Sequence, residues 1–163
     1  MDVPVPGVDP WDELMRNPHV WHFAFHATPG LPEQLIQGRQ REYFDFFYNA
    51  FSRNPALITD EARSAYVDAY TSGEALTAGF SWYRTIPADA IANRQSSRET
   101  PTDTPVLLLL AEASGAMIET YADGYRHAGL AALEHAVISG VGHFIQEEAP
   151  NELWQQILNF ARL

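Results

Sequence analysis

Ala132-Leu133-Glu134-His135-Ala136-Val137-Ile138 runs into Ser139-Gly140-Val141-Gly142-His143-Phe144-Ile145-Gln146-Glu147-Glu148-Ala149-Pro150, and the reading of this stretch decides the fold. The apolar residues over 133–138 predict a short buried strand. The serine and glycines after it predict a loop that carries His143, and Leu153, Ile157 and Phe160 then fall on one stripe of a helix over 152–162. Working backwards, Pro105-Val106-Leu107-Leu108-Leu109-Leu110-Ala111 is a continuous apolar run, the pattern of a strand covered on both faces. Between the two strands, residues 116–128 predict a helix with Met117, Tyr121 and Tyr125 on one side and Gly129 as its stop. Strand, helix, strand, helix is a parallel α/β order.

Helices are expected to dominate residues 33–84. Leu35, Ile36, Tyr43, Phe44, Phe46, Phe47 and Phe51 lie on more than one face of a helix over 33–53, as in a helix packed between layers. Asp60-Glu61 opens a second helix over 60–71, and Thr71 with Glu74 suits a capping box for a third that carries Leu76, Phe80 and Tyr83. Pro87 and the polar run from Asn93 to Asp103 predict a mobile linker over 87–104. Pro4, Pro6, Gly7 and Pro10 make residues 1–10 an irregular connection.

The 163 residues fit one domain, and 46% hydrophobic with 12% aromatic residues can fill a sizeable core. Ten arginines and no lysine stand against 21 acidic residues, for a net charge of −11, which argues against nucleic acid or an anionic membrane as partner. With no cysteine, disulfides, thiolate metal sites and cysteine nucleophiles are excluded, and the cytoplasm is the default compartment. The opening residues lack the basic and apolar blocks of a signal peptide, and no apolar run reaches the roughly 18 residues of a membrane helix.

The Gly142-His143-Phe144 loop with its acidic pair and proline, together with Trp21-His22-Phe23 and Trp82-Tyr83-Arg84, resembles α/β-hydrolases of the epoxide hydrolase and haloacid or haloalkane dehalogenase branch. The resemblance implies a partial α/β-hydrolase fold of class α/β: residues 1–10 a connection from the core, 11–98 a helical cap, and 99–163 the last two parallel strands and helices of the core. The N-terminal half of the core, with its oxyanion loop and nucleophile elbow, has no counterpart in the sequence. Two parallel strands do not make a stable sheet alone, so the chain is expected to need that half from elsewhere or to self-associate.

In that family an aspartate displaces an epoxide oxygen or a halide, and water activated by histidine cleaves the resulting alkyl ester. The resemblance makes His143 the general base, since an imidazole exchanges protons near neutral pH. Asp2, in Met1-Asp2-Val3-Pro4, is the expected orienting acid, with Glu112 as substitute. His22, Phe23, Trp82 and Tyr83 are the expected substrate-binding residues, and His26 and His19 read as structural. Ser114, after a buried strand and before Gly115, is a weaker candidate nucleophile because Glu112 stands where the tight turn wants a small residue. No cofactor is implied, and a metal hydrolase is not expected, Glu147-Glu148 reading as charges that favour a helix N-terminus. The substrate would be an epoxide or an organohalide. A non-catalytic binding or dimerisation module that kept the cap's aromatic pocket is the alternative from another class.

Overall fold

The computed structural model describes residues 4–99 and 101–162. Both predicted strands are present, β1 (Val106–Ala111) and β2 (Leu133–Ile138). They pair in parallel, from Val106 opposite Leu133 to Ala111 opposite Ile138. Alternate side chains of β1 go to opposite faces, as the pleat requires. Leu108 and Leu110 pack with Tyr121, Ala122 and Tyr125 of α7 (Ile118–His127) and with Val8. Leu109 and Ala111 pack with Ile138, Val141 and Ile145, joined by Leu153 of α9 (Pro150–Ala161). The strand is thus covered on both faces, and the buried leucines each contribute about 1.5–3 kcal/mol of transfer free energy.

Six helices precede the sheet: α1 (Trp11–Leu14), α2 (Trp21–Ala27), α3 (Leu31–Ile36), α4 (Gln40–Phe51), α5 (Asp60–Asp68) and α6 (Gly73–Glu99). Their own core is Ile36, Leu76 and Phe80, with Phe25, Tyr43 and Phe44 packed against it. The helix expected over 33–53 is two helices, because Gly38 turns the chain at φ 80° between them. α5 is capped by Thr59, whose hydroxyl accepts from the Ala62 N–H. The third helix is capped by Ser72, which accepts from the Ala75 N–H; this lies one residue past Thr71, and the Ala75 side chain has no polar group to return a bond, so a single cap replaces the expected box.

The mobile linker expected from residue 87 is not there. α6 continues through Pro87 to Glu99, because tertiary contacts outweigh the one backbone bond that a proline forfeits. Ala90 is buried against Gly7, the Asn93 side-chain amide donates to the Pro6 carbonyl at 2.9 Å, and Arg94 pairs with Asp12 at 2.7 Å. The supposedly unstructured polar run therefore fastens α6 to the irregular segment at the start of the chain. Among the described residues no helix is long and apolar enough to cross a membrane.

Candidate active site

His143 stands in the loop between β2 and the short helix α8 (Ile145–Glu148), at the carboxyl end of the strand, where the ligand-binding loops of parallel sheets gather. Its N–H donates to the Phe51 carbonyl at 2.8 Å. Gly142 is obligatory for this approach: a Cβ there would lie 2.3 Å from the Phe51 oxygen and 2.5 Å from the Arg53 nitrogen. The loop's other glycine, Gly140, donates its N–H to Glu112 Oε2 at 3.0 Å.

The opposite wall comes from α2 and α6. His26, 5% exposed, stacks on Phe80 with ring centroids 4.6 Å apart, meets Tyr83 edge-on at 4.4 Å, and hydrogen-bonds the Tyr43 hydroxyl at 2.5 Å. This pins the two helices together, so that Tyr83 and Phe23 meet edge-on at 5.3 Å and Tyr83 lies 6.2 Å from the His22 ring. The reading of His26 as structural agrees with these contacts.

A cavity of about 400 Å³ opens between the two halves, lined by His143, His22, Phe23, Tyr83, Phe51 and Ser114 among others. Four of the expected site residues therefore share one space, and the candidate Ser114 faces it too. Trp82 does not join them. It is 77% exposed, as neighbours on a helix point about 100° apart and Tyr83 takes the inward direction. Asp2 lies outside the described residues. Glu112 Oε2 accepts the Gly140 N–H. His19, read from sequence as structural only, also lines the cavity; its signal was Asn17-Pro18, which caps the turn that swings it inward, with the His19 N–H donating to Asn17 Oδ1 at 3.0 Å. A larger apolar groove of about 440 Å³, between Trp21, Leu35 and Phe46, contains none of these groups.

Burial pushes His22 down to about 4 from an ordinary 6.5, with the neighbouring His143 adding to the shift. His26 falls to about 4 for the same first reason, His22 being its neighbour. Both imidazoles are neutral at pH 7. Burial also raises the Tyr83 hydroxyl, with Tyr70 contributing, so it stays protonated. Among its described lining residues the cavity has no carboxylate. Neutral hydrogen-bond donors such as His22 and Tyr83 suit an oxygen or halide on which negative charge develops.

His22 and His26 stand four apart on α2, a spacing at which two imidazoles can share a metal and one that the sequence reading passed over. His26 spends its Nε2 on Tyr43, and among the described residues no group of three or more metal-binding side chains is assembled. Glu147-Glu148 also departs from expectation. The two carboxylates do not simply favour a helix start: Tyr66 donates its hydroxyl to Glu147, and Glu148 accepts backbone N–H groups from residues 53, 54 and 142. No residue pattern could have disclosed the contacts to residues 53, 54 and 66, made across more than 80 positions.

Comparison with known proteins places this geometry. No family model matches the chain. Over 80 residues, 49% of the chain, it is 30% identical to the AB hydrolase superfamily protein YfhM of Bacillus subtilis (strain 168), spanning 28% of that protein. The crystal structure of Cfl2 from Burkholderia cenocepacia is 32% identical and superposes with a TM-score of 0.82, over 98% of this chain and 55% of that one. The Cif epoxide hydrolase from Acinetobacter nosocomialis is 18% identical with a TM-score of 0.80, over 98% of this chain and 51% of that one. The chain thus has a partial α/β-hydrolase fold and spans about half the length of the solved structures it matches. Epoxide hydrolases are among the solved structures whose fold it shares.

Proposed function

We propose that the chain supplies the second half of the machinery of an epoxide-hydrolase-like hydrolase, with residues 11–98 as its cap and 99–163 as the C-terminal part of its core. The observation that carries this reading is the single cavity shared by His143, His22, Phe23 and Tyr83. In the reaction, an aspartate outside these 163 residues attacks a substrate carbon, and the bond from that carbon to the epoxide oxygen or halide breaks. Tyr83, held protonated by burial, hydrogen-bonds the departing oxygen and gives it a proton; neutral His22 donates a second hydrogen bond. A halide would leave as the anion, cradled by the same donors. His143 then takes a proton from water, whose oxygen attacks the ester carbonyl and releases the alcohol and the aspartate; after an epoxide opening the His143 proton restores the Tyr83 hydroxyl, and after a halide displacement it leaves to solvent. Asp2 is the proposed carboxylate that orients His143.

Ser114 is the less favoured nucleophile. The nucleophile of this fold sits on a strained turn, whereas among the described residues Arg162 is the only non-glycine with positive φ. That no strained nucleophile turn occurs among the described residues is also what favours the second reading, a binding module without chemistry.

Hydrolysis of styrene oxide and fluoride release from fluoroacetate test both, with the chain alone and co-expressed with a half-core bearing a Gly-His-Asp-x-Gly elbow. We expect background rates alone, turnover with the half-core, and loss of that turnover in His143→Ala. Turnover that survives His143→Ala would remove His143 from the mechanism. Turnover by the chain alone, lost in Ser114→Ala, would make Ser114 the nucleophile.

A further inference from the structure

The half-buried Glu148 does more than end a helix. Its Oε1 accepts the Gly142 N–H at 3.0 Å, and its Oε2 accepts the N–H groups of Arg53 at 2.8 Å and Asn54 at 2.9 Å. These amides belong to two segments 88 or more positions apart: the loop of His143, and the stretch that follows the end of α4. Bonds from neutral donors to an ionised acceptor are stronger than neutral ones, and here one carboxylate makes three. The return tie is the His143 N–H on the Phe51 carbonyl, and Gly142 lets the two backbones touch. Phe51 matters because its ring forms the cavity wall, 6.1 Å from the His143 ring and 6.0 Å from that of His22.

We propose that Glu148 is a positioning residue for His143: its carboxylate locks the histidine loop to residues 51–54, so that the imidazole and the Phe51 wall move as one body. The cap then cannot swing away at this corner without displacing His143. Glu147 holds the next point along the same seam, its carboxylate accepting the Tyr66 hydroxyl of α5. The inference rests on the reading of His143 as the base, and its test needs no turnover.

Amide exchange followed by NMR in the wild-type chain should find Gly142, His143, Arg53 and Asn54 opening together. In Glu148→Gln the protection of Gly142, Arg53 and Asn54 should fall about tenfold or more, while Ala122 in α7 keeps its own. Carbethoxylation by diethyl pyrocarbonate, read by peptide mass spectrometry, should quicken several-fold at His143 in that variant, with exposed His127 unchanged and buried His26 still protected. A loss of packing in general would move His26 as well. Glu147→Gln, the same change of charge one residue away, should leave the Gly142 amide and the His143 rate as in the wild type. Unchanged protection and reactivity in Glu148→Gln would overturn the proposal. If that variant does not fold, the wild type decides, since Arg53 and Asn54 exchanging independently of Gly142 would overturn it equally. An inactive co-expressed enzyme with the clamp intact would count against the chemistry and not against Glu148.

Discussion

Gly142 and Gly38 are required for different reasons, and substitution separates them. Gly142 meets the 51–53 backbone, so Gly142→Ala must push two segments apart and should cost about 1–3 kcal/mol in urea unfolding, with faster exchange at Arg53 and Asn54. Gly38 has open space around it but a left-handed φ of 80°; Gly38→Ala should cost about 1–2 kcal/mol from the backbone alone and leave residues 53 and 54 untouched. The buried histidines give a second expectation. Below the ordinary value of 6.5 the unfolded chain takes up protons that His22 and His26 refuse until about 4, so stability is full above that window and falls as pH drops through it. Glu33 and Asp45 are held below the usual carboxylate range by Arg84, and by Arg41 and Arg63, against the opposing effect of burial, so above about pH 5 the histidines dominate the slope. Melting temperature measured from pH 7 to 5 should fall, and less steeply in His26→Phe, which keeps the stack on Phe80 but has no proton to gain. At this scale His143 was legible because its neighbours are so particular, and Tyr83 and His22 because a motif carried them. Trp82 was not, because sequence adjacency to Tyr83 says nothing of which way a helix residue points.

At the scale of elements, apolar runs and periodicity located β1, β2, α7 and α9 well, because a strand buried on both faces leaves a run of leucines that nothing else explains. Local rules failed where distant contacts decide. α6 passes through Pro87 only because Ala90, Asn93 and Arg94 find partners in residues 6–12. Asn93→Ala removes the amide that reaches the Pro6 carbonyl, and a net cost of about 0.5–1.5 kcal/mol is expected by urea denaturation. Arg94→Ala should cost less, since its bond to Asp12 is exposed and salt screens it. A larger loss in Arg94→Ala than in Asn93→Ala would mean that charge, and not the hydrogen bond to the buried end of the segment, holds the helix in place. α1 and α2 fall inside the residues 11–98 expected to form a helical cap, but were not delimited there although Trp21, His22, Phe25 and His26 repeat at three and four, because helices this short carry too few periodic positions to stand out.

For the whole molecule, the two-stranded sheet is the feature that governs behaviour in solution. Its order is β1 then β2, so among the described residues the far edge of β1 faces no strand, although Leu108, Leu109 and Leu110 are almost fully buried. Parallel pairing is weaker per residue than antiparallel, and an open edge of that kind invites another chain. Exposed aromatic surface adds to the tendency, with Trp82 at 77% and Trp154 at 60%. Against both stands a net charge of −11, which makes two copies repel. At about 0.15 M ionic strength that repulsion is screened beyond about 8 Å, whereas burial of apolar surface and strand edges acts at contact. Association should therefore win and should strengthen as salt rises, the reverse of what ion pairing would give. Light scattering across a range of protein and salt concentrations should return masses above 18.3 kDa that grow with salt. A stable monomer with a cooperative melt at every concentration would mean that the edge is satisfied within the chain. If Trp82→Ser combined with Trp154→Ser abolishes association, the aromatic surface drives it; if association persists in that variant and is lost on co-expression with the half-core, β1 is the edge that recruits.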